Sequence, residues 1–284
     1  CPHHYFQRYI LGLREEDDPD ETVEMSPLDE GTLLHRILER LVSEWKDPGF
    51  GEPWPDAMVR RLYELTEEEF AAAQMSMLIG LHIPWERTKD KLRADLRAWI
   101  ASDELLRAGR WRPVATELHF DDLEVPLPDG TRLVLQGSVD RVDVDAAGNL
   151  RVLDYKSGKA DKYAALCEGD PTDGGKFLQL PLYALAAQRD LGGGPEPTRA
   201  DYWFISAGQK GKTAGYDVTD DVLDRALQVI QVAVDGHRGG LFPPRPIGHS
   251  KAWECPSCQV DGGTDRFGSE WFEQLLADVR LTAY

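Results

Sequence analysis

The chain has 284 residues, enough to bury a sizeable core, and a formal net charge of −18 from 50 Asp and Glu against 32 Lys and Arg. This acidity excludes a generic basic nucleic-acid binder and a simple attraction to an anionic membrane, so any nucleic acid must meet a local basic patch. No apolar run approaches the ~20 residues of a membrane span and no signal segment opens the chain, so we expect a cytoplasmic protein.

The N-terminal part predicts two helices separated by an acidic loop. Residues 1–14 are aromatic and amphipathic, which indicates a short helix beginning after Cys1. Further on, Ser26 provides a hydroxyl N-cap, Pro27 fits the first helical position, and Asp29 lies near the positive end of the helix dipole. The helix that follows should bury one apolar stripe, which consists of Leu34, Ile37, Leu38, Leu41, Val42 and Trp45. His35 lies beside this stripe.

A helical stretch and three strands come next. Residues 47–112 contain two segments of helical pattern after a loop, and we interpret them as a helical insertion. Strand-like runs at 114–125 and 132–145 flank the turn at 128–130, and NLRVLDYK forms a third run, which predicts three successive antiparallel strands. Glu117 lies on the first of these strands.

The third strand carries an acid and a base on one face. Side chains on a strand repeat every second residue, so Asp154 and Lys156 stand side by side among valines and leucines. Burying such charges without partners is costly, and a divalent cation shared with Asp140 on the second strand is one resolution. A surface salt bridge on an edge strand is the alternative. Asp143 and Asp145, also on the second strand, are interpreted as solvent-side charges.

The remainder predicts one more strand and several helices. Residues 177–189 have a helical pattern that tolerates Pro181 if the helix begins near Leu178, and Gln179 and Tyr183 then share a face. The run ADYWFIS is a strand, residues 219–237 form an amphipathic helix, and the tail carries a Cys-x-x-Cys and a last helix at 267–279.

Four short motifs follow one another on elements of the appropriate type. They are Gly31-x-x-x-His35, Gly137-Ser138-Val139-Asp140, Asp154-Tyr155-Lys156 and Gln179-Leu-Pro-Leu-Tyr183. In this order they resemble the PD-(D/E)XK nuclease superfamily, specifically its RecB/AddB-like exonuclease branch, which includes CRISPR-associated RecB-like nucleases. The resemblance covers nearly the whole chain. It implies an α/β fold with a restriction-endonuclease-like core, a small mixed sheet flanked by helices. Residues 1–284 would form a single nuclease domain, with the insertion at 47–112 and a Cys-containing extension at 240–284 that folds back to the N-terminus.

Phosphodiester hydrolysis explains why these residue types occur together. A divalent metal can activate water and stabilise the charge that develops on phosphate, and Asp140 and Asp154 offer oxygen ligands suited to Mg²⁺ or Mn²⁺. His35 adds a nitrogen ligand more congenial to Mn²⁺, and Lys156 can hold the attacking water. The resemblance adds the backbone carbonyl of Tyr155 as a ligand. It also gives Gln179 and Tyr183 roles in positioning the lysine and the DNA backbone, and Glu117 is the candidate supporting carboxylate.

The cysteines fit only part of the family pattern. In the branch that holds a 4Fe–4S cluster, one Cys before the first helix joins three near the C-terminus, and Cys1, Cys255 and Cys258 fit three of these places. The fourth position falls in VDGGTDRF, which has no Cys, and Cys167 lies elsewhere in the order. A cluster with another fourth ligand, a Zn²⁺ site using His3 or His4, or a vestigial site all remain open.

The resemblance implies a metal-dependent deoxyribonuclease. We expect exonucleolytic hydrolysis of DNA, preferring single-stranded ends, in recombination and repair, with a helicase subunit or domain as partner. A non-catalytic module that binds DNA ends or serves as a scaffold is the alternative, although a scaffold has no need for a costly carboxylate cluster. A zinc hydrolase acting on another substrate would need a denser set of histidines.

Overall fold

The computed structural model describes residues 2–13, 24–45, 49–76, 79–209 and 211–242. Contacts divide the chain into two compact units, Cys1–Asp17 with Gln228–Tyr284 and Asp18–Leu227. The predicted cofactor ligands Cys1, Cys255 and Cys258 lie outside the described residues, as does most of the predicted C-terminal extension. Within the described ranges, no helix combines the length and the apolar character needed to cross a bilayer.

The second unit is built on one five-stranded sheet. Its strands are β1 (Arg112–Pro126), β2 (Arg132–Val144), β3 (Leu150–Lys156), β4 (Thr198–Phe204) and β5 (Thr213–Val218), in the order β1-β2-β3-β4-β5. The β1–β2, β2–β3 and β4–β5 pairs are antiparallel, whereas β3 and β4 are parallel. The predicted small mixed sheet flanked by helices is therefore confirmed. Because β3 is the central strand, a salt bridge on an edge strand is excluded.

In the described ranges, most helices begin and end close to where the sequence predicts, and the helix predicted at 267–279 lies outside these ranges. The α-helices are α1 (Pro2–Tyr5), α2 (Pro27–Glu44), α3 (Asp56–Ser76), α4 (His82–Arg107), α5 (Gln179–Leu191) and α6 (Asp220–Arg238), and a π-helical turn at Phe6–Ile10 follows α1. At the start of α2, the Ser26 hydroxyl accepts a hydrogen bond from the Asp29 amide at 3.1 Å, and Pro27 occupies the first helical position. Both features were expected from the sequence.

One hydrophobic core lies between the sheet and helices α2, α3 and α4. From α2 it receives the predicted stripe, and from the other helices mainly aromatic and leucine side chains, including Phe70, Trp85, Leu92 and Trp99. The sheet contributes Leu153, Tyr155 and Trp203. Since side chains alternate along a strand, Asp154 and Lys156 lie on the opposite face of the sheet from this core. The two helices expected within 47–112 are present as α3 and α4, and their interpretation as an insertion stays a prediction.

The described part of the first unit contains a cluster of aromatic rings. The Phe242 ring lies 5.1 Å from that of Phe6 and 6.4 Å from that of Tyr5, and the His237 ring lies 6.0 Å from Tyr5. The N-terminal segment therefore packs against the end of α6 and the residues just after it in this unit. Such aromatic contacts bury large apolar areas, which favours their association.

The prediction that Asp143 and Asp145 face solvent is wrong. Asp143 is fully buried and accepts two hydrogen bonds from Arg141, at 2.6 and 2.9 Å. Asp145 is 8% exposed and accepts hydrogen bonds from the turn that joins β2 to β3, including the amides of Ala147 and Asn149. Both carboxylates are buried because donors surround them, and strand alternation alone does not reveal such donors.

Candidate active site

The centre of the candidate site is the C-terminal end of β3. Asp154 is 2% exposed and its Oδ2 contacts the Lys156 ammonium, as their shared strand face predicts. Burial and the neighbouring charge of Asp140 raise the pKa of the Asp154 carboxyl to about 6, even though Lys156 acts in the opposite direction. The site therefore contains more negative charge than its lysine neutralises, which is the condition that a bound cation would relieve.

Asp140, Tyr155 and His35 meet beside this pair. The Tyr155 amide donates to Asp140 Oδ2 at 2.6 Å, and His35 Nε2 donates to the Tyr155 carbonyl oxygen at 3.1 Å. His35 Nδ1 lies 3.4 Å from Asp140 Oδ1. Burial lowers the pKa of the His35 imidazole, but its hydrogen bond to Asp140 and the charges of Asp140 and Asp154 outweigh burial, so the pKa is raised. Three of the four predicted metal ligands, His35, Asp140 and the Tyr155 carbonyl, thus lie together.

Glu117 joins the same group from β1. The register runs from Thr116 opposite Arg141 to Leu118 opposite Val139, which puts Glu117 across from Asp140. Its carboxylate accepts a hydrogen bond from Ser138 at 2.7 Å. Glu117 has φ of 45°, in the left-handed region that side chains other than glycine rarely adopt, and such strain is typical of functional positions.

The donor atoms fit a hard divalent cation. One ligand atom each from His35, Glu117 and Asp140 lies within 4.8 Å of the others. The Tyr155 carbonyl accepts from His35, and the β2–β3 register, with Arg141 opposite Leu153, places Asp154 across from Asp140. The Asp154 carboxylate is not itself a member of that group of three. Carboxylate and carbonyl oxygens with one imidazole nitrogen suit Mg²⁺ or Mn²⁺, which retain some water ligands.

A chain of polar side chains holds Lys156 on its other side. Lys156 Nζ donates to Gln179 Oε1 at 3.3 Å, and Gln179 Nε2 donates to the Tyr183 hydroxyl at 3.1 Å. The Tyr202 hydroxyl also donates to Gln179 Oε1, at 3.4 Å, and its ring centroid lies 5.0 Å from Lys156 Nζ. Of the motif residues, Gln179 therefore contacts the lysine directly, and Tyr183 is linked to it through Gln179.

Sequence reasoning missed Tyr202. The residue lies directly opposite Asp154 in the parallel pairing of β3 with β4. Its strand was recognised, but the register between strands separated by α5 could not be read from the sequence. A tyrosine one residue from a buried tryptophan gives no signal that distinguishes a site residue from a core residue.

Gly137 of the second motif makes room for an aromatic ring. A Cβ atom there would lie only 2.6 Å from Cζ of Phe120, the residue directly opposite on β1. Phe120 is buried, and its ring centroid lies 6.3 Å from that of Tyr183. The glycine therefore lets Phe120 cover the strand and support Tyr183.

Comparisons with known proteins identify similar sequences. The sequence profile of the PD-(D/E)XK nuclease superfamily matches residues 1–262. Similar curated proteins include an ATP-dependent helicase/deoxyribonuclease subunit of Symbiobacterium thermophilum, 32% identical over 66% of this chain and 16% of that protein. The protein of the same name from Moorella thermoacetica is 30% identical over 72% of this chain and 18% of its own length. That from Ruminiclostridium cellulolyticum is 29% identical over 57% and 15%. The matched region thus spans less than a fifth of each relative.

Proposed function

The chain belongs to the PD-(D/E)XK nuclease superfamily, and from this premise we propose that it is a Mg²⁺- or Mn²⁺-dependent deoxyribonuclease that hydrolyses phosphodiester bonds. The observation that carries the proposal is the convergence of His35, Glu117 and Asp140 near the buried Asp154 and its partner Lys156. Three different strands and α2 contribute to this group, so it is a property of the fold and not of one local motif.

The proposed ligands are the side chains of His35, Asp140 and Asp154 with the Tyr155 carbonyl, and Glu117 as a supporting carboxylate. A bound divalent cation would lower the pKa of a water and offset the charge that develops on the phosphate. Tyr155 orients the group from within, because its amide holds Asp140 and its carbonyl holds His35. This backbone bridge keeps two ligands in fixed relation before any substrate arrives.

Lys156 is the proposed residue that positions the attacking water and offsets phosphate charge. Its side chain is 23% exposed, so the ammonium can reach a substrate while Asp154 and Gln179 hold it. Gln179 is in turn fixed by Tyr183 and Tyr202, which limits the orientations available to the lysine. Positioning of this kind contributes to phosphoryl transfer together with electrostatic stabilisation.

A cleavage assay on end-labelled single- and double-stranded DNA tests this function. Mg²⁺ or Mn²⁺ should support degradation and EDTA should stop it, whereas Asp154→Ala and Lys156→Ala should each abolish cleavage in folded protein. Lys159→Ala removes an exposed lysine three residues from Lys156 and is the matched control, expected to retain activity. If the wild-type chain binds DNA ends without cutting them in either metal, the alternative of a non-catalytic end-binding module would hold instead.

The finer features of the activity are proposed from the relatives. The names of these relatives include both a helicase and a deoxyribonuclease. We therefore propose that this chain is the nuclease part of a helicase–nuclease system that degrades DNA from single-stranded ends in recombination and repair. Circular single-stranded DNA should then resist digestion that a linear strand of the same sequence undergoes. Cleavage of the circle at a similar rate would identify an endonuclease.

That the three cysteines bind a second cofactor remains a proposal. The ring contacts of Phe242 with Tyr5 and Phe6 support this proposal, because they bring residue 242, at the start of the predicted extension, close to the segment that follows Cys1. Anaerobic purification followed by iron and zinc analysis distinguishes a 4Fe–4S cluster from Zn²⁺. Cys1→Ser should lower the melting temperature before it changes cleavage, and a metal-free protein of equal stability would mean a vestigial motif.

A further inference from the structure

A fully buried network of ion pairs joins α4 to β2 beneath the candidate site. Asp103 and Arg107 on α4 and Arg141 and Asp143 on β2 are each 0% exposed. Asp103 Oδ1 accepts from Arg141 Nη1 at 2.5 Å, and Asp103 Oδ2 accepts from Arg107 Nε at 2.7 Å and from Trp54 Nε1 at 2.6 Å. Two guanidinium groups thus balance two carboxylates. A buried network of this kind is a weak source of stability, but it fixes its members in one geometry.

The network lies one residue away from the site on β2. Arg141 directly follows Asp140, and strand alternation sends the two side chains to opposite faces of the sheet. Arg141 is held at both ends of its guanidinium, by Asp103 through one nitrogen and by Asp143 through two others. Its backbone, which is continuous with that of Asp140, therefore has little freedom to shift.

Tyr155 connects the network to the site a second time. Burial raises the pKa of its phenol. The charge of Arg141 lowers this pKa, and the charge of Asp103 raises it. The phenol thus lies close to the network on the core side of the sheet. On the other side, the Tyr155 backbone holds Asp140 and His35.

We propose that Asp103 is a positioning residue for the metal site: by holding Arg141 it fixes the part of β2 that carries Asp140 and the Tyr155 backbone that Asp140 binds. Asp103 lies on a helix far from the site in sequence and contacts none of the ligands named above. The inference rests on the proposed function, since it concerns the same metal ligands. Because α4 carries Asp103, this role would make α4 a structural part of the site. An error of a fraction of an ångström in ligand placement lowers metal affinity.

Calorimetry with Mn²⁺ alone tests the proposal on the full chain. Asp103→Asn keeps the size of the side chain but removes the charge that holds Arg141, and Mn²⁺ affinity should fall by about 10-fold or more. Asp145→Asn is the matched control, because Asp145 is also buried and hydrogen-bonded but lies in the turn after β2, where its partners are Ala147, Asn149 and Arg110 and not members of the network. Its Mn²⁺ affinity should stay close to that of the wild type even if its stability falls.

A second variant covers the case in which Asp103→Asn does not fold. Asp103→Asn combined with Arg107→Met removes one charge of each sign, so no uncompensated charge stays in the core. Arg141 still loses its ionic link to α4, and Mn²⁺ binding should be weakened as in the single variant. Wild-type Mn²⁺ affinity in this folded double variant would overturn the proposal.

Hydrogen exchange separates this inference from the proposed function because it needs no metal. The Tyr155 amide, which donates to Asp140, should exchange about 10-fold faster in the metal-free Asp103 variants, while the amides of β4 and β5 keep their protection. Uniform acceleration over the whole sheet would indicate a purely structural role and refute the proposal. A wild-type chain that binds no Mn²⁺, yet shows this local effect in the variants, would contradict the proposed function and leave the positioning role supported.

Discussion

Replacement of Asp154 by asparagine should make the metal-free protein more stable while abolishing its activity. Asp154 is almost fully buried next to Asp140, and these surroundings raise its pKa from the ordinary 3.8 to about 6. Ionisation of this carboxyl at neutral pH therefore disfavours the folded state. An asparagine has a similar shape without the charge, and the ammonium of Lys156, which is partly exposed, keeps its hydrogen bond to Gln179.

The size of the effect follows from linkage. A carboxyl whose pKa is about 6 when folded and 3.8 when unfolded is less favourably ionised in the folded state by about 3 kcal/mol at neutral pH. The stability that its proton provides is fully present below pH 3.8 and is lost as the pH rises through 6. Asp154→Asn should therefore raise the free energy of unfolding by up to about 3 kcal/mol at pH 7, and by only about 1 kcal/mol at pH 4.5.

Urea denaturation in EDTA at the two pH values measures this difference. Asp145→Asn is a control with the opposite expected sign: burial alone would raise the pKa of Asp145, but hydrogen bonds from Asn149 and Arg110 lower it, so losing the charge should destabilise the protein at pH 7. Added Mn²⁺ should stabilise the wild type and not Asp154→Asn. If Asp154→Asn is no more stable than the wild type in EDTA, the site does not hold the excess negative charge inferred for it.

Three further substitutions test other parts of the site and the fold. Asp140→Asn should weaken Mn²⁺ binding by more than about 10-fold in calorimetry, and unchanged affinity would remove Asp140 from the ligands. Gly137→Ala should lower the free energy of unfolding by about 1–3 kcal/mol because its Cβ meets the buried Phe120 ring, and a shorter side chain at Phe120 should restore part of the loss in urea denaturation. Ser26→Ala should cost about 1 kcal/mol by removing the N-cap of α2, whereas Ser26→Asp should be nearly neutral in the same measurement.

Local signals in the sequence were sufficient to predict much of the fold. The cap at Ser26 and the apolar stripe of α2 depend only on residues a few positions apart, and the same is true of the β1–β2–β3 meander with its short turns. The alternation that pairs Asp154 with Lys156 and the four-residue spacing of Gln179 and Tyr183 are also local. These features could therefore be read before the structure, although the chemical roles of the residues stay predictions.

Features that depend on distant partners could not be read in this way. Asp143 follows a polar alternation typical of a solvent face, but its burial depends on Arg141, which is held by Asp103 on α4. No strand was predicted at residues 213–218, which form β5 by antiparallel pairing with β4. The left-handed φ of Glu117 likewise has no signal in the spacing of residues along the chain.

Anomalous diffraction from crystals soaked in Mn²⁺ tests the proposed metal centre most directly. One strong peak is expected within bonding distance, about 2.0–2.3 Å, of His35, Asp140, Asp154 and the Tyr155 carbonyl oxygen. The peak should disappear in Asp140→Asn crystals soaked in the same way. A peak at other residues, or full occupancy in the Asp140→Asn variant, would contradict the assignment of these side chains as the metal centre of a nuclease.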